Sequence, residues 1–284
     1  MSWLLLTFLS VVSRAVYGVL TKVLSDKVKA SVYTQAALLS FAGGLISLLV
    51  SPLLGGLDFN FSEVSITAVL LVMLGQGLGN IAYFQAIKSL TNGTAQIAFS
   101  SILVFNTLLA LVFLDLRLSF INLFGLILLM LAILSVTTGK VELNKRGVAL
   151  MVLAAFLFSV FQLSSAVLAQ QVGAAVYLLI AYFGAAFVVF LIKWRVIIKD
   201  LKIGERRTTL GIPLITAIPS LGNFLFAYYA YREAPEPAKV AMLLTSQVVL
   251  TVFLSYFLLQ EKDHFLRKVG ASVLVVVSVI LIKD

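Results

Sequence analysis

The 284-residue sequence contains no cysteine, and charged residues are scarce. Without cysteine the chain cannot form disulfides, thiolate metal sites or a cysteine nucleophile. Charged residues make up 12% and hydrophobic residues 61% of the chain, whereas soluble domains carry roughly 25% charged residues. The mean hydropathy of +1.10 agrees with these proportions. The composition therefore predicts an integral membrane protein.

Ionisable groups that could work inside a membrane are also missing. All twelve acidic residues lie in predicted loops or at predicted helix ends, and the single histidine, His264, lies in a loop. Proton-driven transporters commonly use a membrane-embedded Asp, Glu or His, so facilitated diffusion or exchange is favoured over proton antiport. Intramembrane enzymes need paired carboxylates, a Ser/His pair or a metal set. The sequence offers none of these, and we predict neither catalysis, nor a metal site, nor a cofactor.

The chain contains ten long apolar stretches. Each is near the ~20 residues that a helix needs to cross a bilayer, and the alternating pattern of barrel strands is absent. We predict an all-α membrane protein with ten transmembrane helices, at residues 2–24, 32–54, 66–87, 94–114, 120–138, 147–168, 175–194, 209–231, 238–260 and 266–282.

The second half of the chain repeats the first at an offset of 143 to 145 residues. Leu78-Gly79-Asn80 matches Leu221-Gly222-Asn223, and Gly125 matches Gly270. The repeat predicts two five-helix units, at residues 1–140 and 147–284. Because five is an odd number, the second unit enters the membrane inverted. Inverted repeats around a central cavity are typical of secondary transporters that work by alternating access.

The net charge of +9 is distributed unevenly over the predicted loops. Loops after odd-numbered helices carry 16 Lys and Arg, and the other face, termini included, carries 4. Since Lys and Arg in short loops stay in the cytoplasm, this predicts a multi-pass protein of a prokaryotic inner membrane with both termini outside. The charge is thus read as topology rather than as a nucleic-acid-binding patch. No basic region precedes helix 1, so we expect it to be retained rather than cleaved as a signal peptide.

Glycine and proline interrupt helices 3 and 8 at matching positions. Interruptions of this kind mark hinges near the substrate site of inverted-repeat transporters, and Pro219 also removes a backbone hydrogen bond. The alternative for the glycines is close helix packing through a small-xxx-small contact. The predicted gating or hinge residues are Gly75, Gly79, Pro219 and Gly222.

Arg14 lies near the middle of predicted helix 1. A guanidinium at that depth costs about 2.5–3.5 kcal/mol on insertion scales, so it faces a cavity or a partner rather than lipid. It shares a polar helical face with Tyr17, whereas the repeat mate of Arg14 is Phe158. This asymmetry favours a role in substrate binding. The alternative is that Arg14 fastens helix 1 to a backbone carbonyl or a neighbouring Gln.

Further polar residues within the apolar stretches are candidate ligands. Lys239 opens helix 9 at the position matched by Gln96, and its alternative role is a lysine that extends to the membrane interface. Two cations would favour an anionic or zwitterionic substrate. Other polar side chains either bind substrate or form interhelical hydrogen bonds. The complete set of predicted substrate-binding residues is Arg14, Tyr17, Gln76, Asn80, Tyr83, Gln96, Gln162, Asn223, Tyr228 and Lys239.

Short motifs in both halves resemble the EamA-type branch of the drug/metabolite transporter superfamily. In the second half they are residues 237–241 (PAKVA), 257–262 (FLLQEK) and Gly270, and in the first half residues 93–98 (GTAQIA), 113–119 (FLDLRLS) and Gly125. The first half departs from the family by placing Asp115 where a Gly-Glu pair is usual. The family is generally drawn with cytoplasmic termini, against the charge distribution. The resemblance implies an exporter or exchanger of small metabolites such as amino acids, purines or phosphorylated compounds.

The sequence thus predicts a secondary transporter of small polar metabolites. A channel-like pore is the alternative, although no repeated filter loop or charged ring is present, and an intramembrane enzyme is the more distant one. The expected partners are a small-molecule substrate and the lipid bilayer. The sequence leaves the oligomeric state open, and a monomer is compatible with it.

Overall fold

The computed structural model describes residues 2–58, 64–113, 119–137, 144–203 and 206–283, and this part of the chain is helical without strands. The first half of the chain contains six α-helices, α1 to α6, and the second half six more, α7 to α12. Their bounds are Trp3–Lys27, Val32–Val50, Ile66–Ile87, Asn92–Phe99, Ile102–Phe113, Phe120–Thr137, Lys145–Gln171, Ala174–Ile203, Arg206–Glu233, Pro237–Leu243, Gln247–Leu258 and Phe265–Lys283. Two short 3₁₀ turns, Ser51–Leu54 and Leu244–Ser246, follow α2 and α10.

Polar side chains at the helix starts bind the free backbone amides. Ser31 accepts a hydrogen bond from Thr34 N at the start of α2, and Ser65 accepts one from Ala68 N at the start of α3. A hydroxyl at this position satisfies one of the four amides that have no partner within the helix. Helices α2 and α3 therefore each begin directly after a serine that caps the helix.

Most of the helices have the dimensions of membrane spans. Among the described residues, seven helical segments are long and apolar enough to cross a bilayer, and Phe120–Ser135 is a shorter apolar helix. The protein is therefore an all-helical, multi-pass integral membrane protein. Residues 114–118, which include Asp115, lie outside the described residues.

Two of the ten predicted spans are each divided into two helices. The stretch 94–114 forms α4 and α5, which meet at Ser100–Ser101, and the stretch 238–260 forms α10 and α11, which meet at the turn Leu244–Ser246. At an offset of 145, Ser100-Ser101 corresponds to Thr245-Ser246. The two interruptions therefore occupy equivalent positions in the two halves.

Helix α8 extends past the membrane-spanning stretch. Lys193 has non-helical backbone angles (φ −141°, ψ 36°) inside it. The 19 residues before this kink span about 28 Å, close to the ~30 Å of hydrocarbon in a bilayer. The segment after the kink, which we call the α8 extension (residues 194–203), is held to the start of α2. Asp200 accepts hydrogen bonds from Ser31 N at 2.8 Å and Thr34 Oγ1 at 2.7 Å.

The helices of the two halves pack against each other in a regular pattern. Helix α1 packs on α9, and α3 packs on α7; α2 packs on α8, and α6 on α12. In the repeat, α1 is equivalent to α7, α2 to α8, α3 to α9 and α6 to α12. Replacing each helix by its equivalent converts the pair α1–α9 into the pair α7–α3. The pairs α2–α8 and α6–α12 remain the same. The core therefore lies between the halves rather than within each one.

The connecting segments contact each other in two separate groups. In the first, Asp200 binds Ser31, and Glu261 binds the amide of Asn92 at 2.6 Å. Lys88, in the connection before Asn92, donates to the backbone oxygen of Ala30 at 3.5 Å and so joins the two contacts. We call the side of the molecule with this group the cation-rich face, since most Lys and Arg residues lie in its connections. In the second group, Ser65 N binds Gln171 Oε1 at 3.0 Å.

Candidate functional site

A cavity of about 50 Å³ lies between the two halves of the molecule. Its walls come from helices of both halves. Since one water needs roughly 10–15 Å³ by this kind of measure, the cavity holds about four waters and is smaller than an amino acid. Seven of the ten predicted substrate-binding residues line it: Arg14, Tyr17, Asn80, Tyr83, Gln96, Gln162 and Asn223.

Arg14 is the charged residue of the cavity wall, and its side chain lies between an amide and an aromatic ring. Arg14 is 9% exposed. With the Gln162 amide oxygen oriented toward it, Nη1 and Nη2 donate at 2.7 and 3.3 Å, an orientation assigned from the donors around it. The guanidinium carbon lies 5.5 Å from the centre of the Phe99 ring, within the range of a cation–π contact.

Arg14 has no anionic partner within the part of the chain that the structure describes. None of the ion pairs among the described residues includes it. The other ionisable side chains of the cavity wall are phenols: Tyr17, Tyr83, Tyr177 and Tyr231. A buried charge without a counter-charge is costly, so an anion entering the cavity would gain a strong interaction. The two alternative roles of Arg14 are thus compatible, because Gln162 holds the group while its charge stays uncompensated.

Gln96 joins the cavity to a series of polar contacts. Its Nε2 donates to Tyr83 OH at 2.6 Å, and its Oε1 accepts from Gln247 Nε2 at 2.9 Å. One turn before Gln96, at the start of α4, Asn92 Nδ2 donates to Ser255 Oγ at 2.8 Å. Each of these bonds satisfies polar groups that would otherwise be buried without a partner.

The series ends at Glu261 on the cation-rich face. Its carboxylate accepts the backbone amides of Asn92 at 2.6 Å and Gly93 at 3.0 Å, and Lys268 Nζ lies 3.6 Å away. A carboxylate at the start of α4 is favoured by the helix dipole. We call the contacts Gln96–Gln247, Asn92–Ser255 and Glu261–Asn92/Gly93 the polar ladder. It connects α4 of the first half to α11 and its following loop in the second half.

The two repeat-related asparagines take different partners at the cavity wall. Asn80 Nδ2 donates to Ser40 Oγ at 3.2 Å, while Asn223 accepts from Ser10 Oγ through its backbone oxygen at 2.9 Å and its side-chain oxygen at 3.0 Å. Both side chains thus have a structural partner and a position on the cavity.

Three predicted ligands do not line the cavity. Gln76 is buried one turn before Asn80, and the cavity does not extend along α3 as far as its side chain. Tyr228 donates to the backbone oxygen of Val172 at 2.9 Å and accepts from Arg232 at 3.2 Å. Lys239 forms an ion pair of 3.1 Å with Glu236. The cavity therefore contains one cation of the two expected.

The predicted hinge residues lie in continuous helices. Helix α3 is unbroken through Gly75 and Gly79, and α9 is unbroken through Pro219 and Gly222. Neither helix therefore breaks at the expected positions, whereas the spans formed by α4–α5 and α10–α11 are interrupted. A kink at Pro219 stays a prediction. Whether these four residues act as hinges stays a prediction.

The glycines of α3 have a packing role. A Cβ at Gly75 would lie 2.9 Å from Leu157 O and Phe161 N, and one at Gly79 would lie 3.1 Å from the Phe158 ring. Such distances are shorter than van der Waals contact, so glycine allows the backbones of α3 and α7 to approach. The alternative of close packing therefore applies at both positions.

Aromatic rings make up most of the part of the wall that sequence reasoning missed. A continuous chain runs from Tyr83 through Phe99, Phe158 and Phe161 to Phe224, with ring centres 5.2 to 6.2 Å apart. Phe158 and Phe161 are the repeat mates of Arg14 and Tyr17, and this equivalence is the signal that could have identified them. The other unpredicted wall residues are Gly18, Tyr177, Ala227, Tyr231, Leu244 and Gln247.

Comparison with known proteins agrees with this architecture. A solved structure described as "Crystal structure of protein" superposes with a TM-score of 0.68, covering 98% of this chain and 94% of that chain at 13% sequence identity. At that identity the likeness concerns the fold alone. No curated protein matches the sequence.

The family model of the EamA-like transporter family matches the sequence twice, over residues 1–138 and 145–283. These two ranges cover nearly all of the chain and correspond to helices α1–α6 and α7–α12. The cavity and the polar ladder both lie between the two matched regions. The chain therefore belongs to the EamA-like transporter family, and it is a membrane transporter of the drug/metabolite superfamily.

Proposed function

We propose that this protein is a secondary transporter that moves small polar metabolites, such as amino acids, by alternating access. The observation that carries the proposal is the cavity between the two halves, with uncompensated Arg14 in its wall. A cavity of about 50 Å³ is too small for such a substrate, so binding requires the halves to separate on one side.

We propose ten membrane crossings, with α4–α5 and α10–α11 each forming one crossing. The contacts between the connections support this count. Asp200, Glu261 and Ser31 follow odd-numbered crossings and belong to one contact group, whereas Ser65 and Gln171 follow even-numbered ones and belong to the other. Counting either divided span as two crossings would bring connections from opposite sides of the membrane into contact.

The two repeats, 1–140 and 147–284, are then inverted relative to each other. Each contains five crossings, and the exchange of α1–α9 with α7–α3 is what a two-fold axis in the membrane plane produces. The interruptions at Ser100–Ser101 and Leu244–Ser246 fall next to the cavity in both repeats. Discontinuous helices at the repeat interface commonly form the substrate site of inverted-repeat transporters.

The polar ladder acts as the closed gate on the cation-rich face. It occupies the space between α4 and α11 from the cavity to the surface. Tyr177 and Tyr231, at the other end of the cavity, lie near the opposite face, at the start of α8 and the end of α9. We infer a state in which paired polar groups close the cation-rich side.

Counterflow in proteoliposomes tests the proposal. Vesicles containing the purified protein are preloaded with amino acids, purines, sugar phosphates or nucleotide sugars, and uptake of the labelled compound is measured. We expect saturable exchange for at least one class and its loss in Arg14→Ala, because that change removes the charge in the cavity. Arg14→Lys keeps the charge and is expected to retain part of the exchange.

Two results would contradict these expectations. Exchange of no compound class by well-folded protein would count against transport by this mechanism. Wild-type exchange by Arg14→Ala, with unchanged elution on size exclusion, would remove Arg14 from the substrate site while leaving the transport function standing.

A further inference from the structure

Tyr231 has an unused hydrogen-bonding group at the cavity. The residue lies near the end of α9 and lines the cavity together with Arg14. Its side chain is 1% exposed, and its hydroxyl has no hydrogen-bond partner within the described part of the chain. Leaving a buried hydroxyl unpaired costs free energy, so such a group calls for an explanation in a ligand or a second state.

Charge at this end of the cavity is unbalanced by one unit. Arg14 is held by the uncharged Gln162 and the ring of Phe99. Lys239 is paired with Glu236 outside the cavity. A ligand with a single negative charge would therefore neutralise the site, whereas a phosphate dianion would leave one charge uncompensated.

We propose that Arg14 and Tyr231 together form a carboxylate subsite, and that the substrate is a monocarboxylate with an apolar or aromatic body. The guanidinium and the phenol hydroxyl donate to the two carboxylate oxygens. The rings of Phe158, Phe161 and Phe224 contact the apolar part. This inference rests on the proposed transport function, since the cavity must widen to admit such a molecule.

The two donors suit a carboxylate in different ways. The guanidinium presents several N–H groups in one plane and binds carboxylates through charge-assisted hydrogen bonds. A phenol adds one directional donor without a second charge. Together they favour a carboxylate over its neutral amide, because the amide lacks the negative charge and presents an N–H group toward one of the donors.

The test uses ligand-induced thermal stabilisation of the full-length protein in detergent. The carboxylates are acetate, benzoate and 3-phenylpropionate, and benzamide and benzylamine are the neutral and cationic counterparts of benzoate. We expect benzoate and 3-phenylpropionate to raise the melting temperature of the wild type, and benzamide and benzylamine to have little effect. In Tyr231→Phe we expect the affinity for benzoate to fall roughly tenfold to a hundredfold, the range for a charge-assisted hydrogen bond.

Tyr182→Phe is the matched control. Tyr182 is another buried tyrosine, but its hydroxyl is 2.7 Å from Ser220 Oγ and it does not line the cavity. We expect this variant to melt at a lower temperature without ligand and to keep its affinity for benzoate. Tyr231→Phe loses only an unpaired hydroxyl, so its melting temperature without ligand should stay the same or rise.

Unchanged benzoate affinity in Tyr231→Phe would overturn the subsite, and so would a wild type that none of the three carboxylates stabilises. Equal stabilisation by benzoate and benzamide would overturn the assignment of a carboxylate. Counterflow restricted to compounds without a carboxylate would refute the subsite and leave the transport function intact. Carboxylate binding without counterflow of any compound would support the subsite and count against the transport function.

Discussion

Gly75 lies where the backbone of α3 closely approaches the backbone of α7. A methyl group there would meet Leu157 O and Phe161 N at 2.9 Å, and backbone atoms cannot move aside independently. We expect Gly75→Ala to destabilise the protein by about 1–3 kcal/mol, the usual cost of overpacking. Thermal unfolding in detergent measures this change.

Gly270 provides the control for Gly75. It lies inside α12, and a Cβ there would have no neighbouring atom within 4 Å among the described residues. We expect Gly270→Ala to leave the melting temperature unchanged or raise it, since alanine favours a helix over glycine by about 0.5–1 kcal/mol. If both variants melt at the same temperature as the wild type, the close approach of α3 and α7 does not require glycine at position 75.

At the residue scale, the sequence predicts the polar part of the cavity wall better than the apolar part. Arg14, Asn80 and Asn223 stand out because a polar side chain in an apolar stretch must find a partner or a cavity. The aromatic residues give no such contrast, since the chain contains 21 Phe and 9 Tyr. Tyr231 and Phe224 differ from other aromatics only by their neighbours in space.

Lys239 illustrates a limit of another kind. Its position in the sequence fixes its depth along a helix but not its direction around the helix axis. Glu236, three residues earlier, binds it at 3.1 Å. A pair at this spacing is a local alternative to the cavity, and sequence alone does not decide between the two.

Among the elements, the polar ladder is where movement can be tested directly. Asn92 Nδ2 and Ser255 Oγ lie 2.8 Å apart on α4 and α11, and the chain contains no cysteine that would need removal. In the double variant Asn92→Cys/Ser255→Cys, we expect a short bis-methanethiosulfonate linker to abolish counterflow, because α4 and α11 can no longer separate. A reducing agent should restore it.

Each single cysteine variant, treated in the same way, serves as the control for this experiment. Counterflow should then continue at the rate of the untreated variant. Undiminished counterflow by the cross-linked double variant would mean that the ladder does not open during transport, and that the gate lies elsewhere.

The elements also differ in how well the sequence predicts them. The ten apolar stretches correspond to the observed helices, but the interruptions were expected at Pro219 and the glycines of α3. They occur instead at Ser100–Ser101 and Leu244–Ser246. Pro219 is partly buried inside α9, and membrane helices tolerate proline because neighbouring groups can replace the lost hydrogen bond. Hydroxyl pairs are common in membrane helices and are therefore a weaker sequence signal for a break.

For the whole molecule, the uncompensated charge of Arg14 predicts a preference for exchange. Closing the cavity without an anion would bury the charge alone, at about 2.5–3.5 kcal/mol on insertion scales. We therefore expect uptake into preloaded vesicles to exceed uptake into empty vesicles by at least about tenfold. The measurement is initial uptake of the same labelled substrate with and without unlabelled substrate inside.

Equal rates in preloaded and empty vesicles would contradict this expectation, because the empty carrier would then return as easily as the loaded one. Collapsing a proton gradient serves as the control. It should leave exchange unchanged, since the cavity wall contains no carboxylate or histidine within the described residues.

At the scale of the whole molecule, the sequence correctly predicts an all-helical membrane fold, while the ten crossings and the inversion of the repeats stay proposals. The repeat offset and the odd number of stretches imply that equivalent helices exchange places between the halves, and α1–α9 and α3–α7 pack in that manner. Which helices face the cavity depends on rotation about each axis, and periodicity is weak where nearly every residue is apolar. The membrane orientation likewise rests on loop charge and stays a prediction.

The α8 extension gives this small membrane protein a fixed helical surface that an antibody fragment can bind. The protein has a mass of 30.8 kDa, too little to align by itself among particle images in which a detergent micelle dominates. The ten residues after the Lys193 kink carry Arg195, Lys199 and Lys202 on a helix that Asp200 fixes to the start of α2. An antibody fragment raised against this helix would add rigid mass outside the bilayer while leaving the polar ladder free to move.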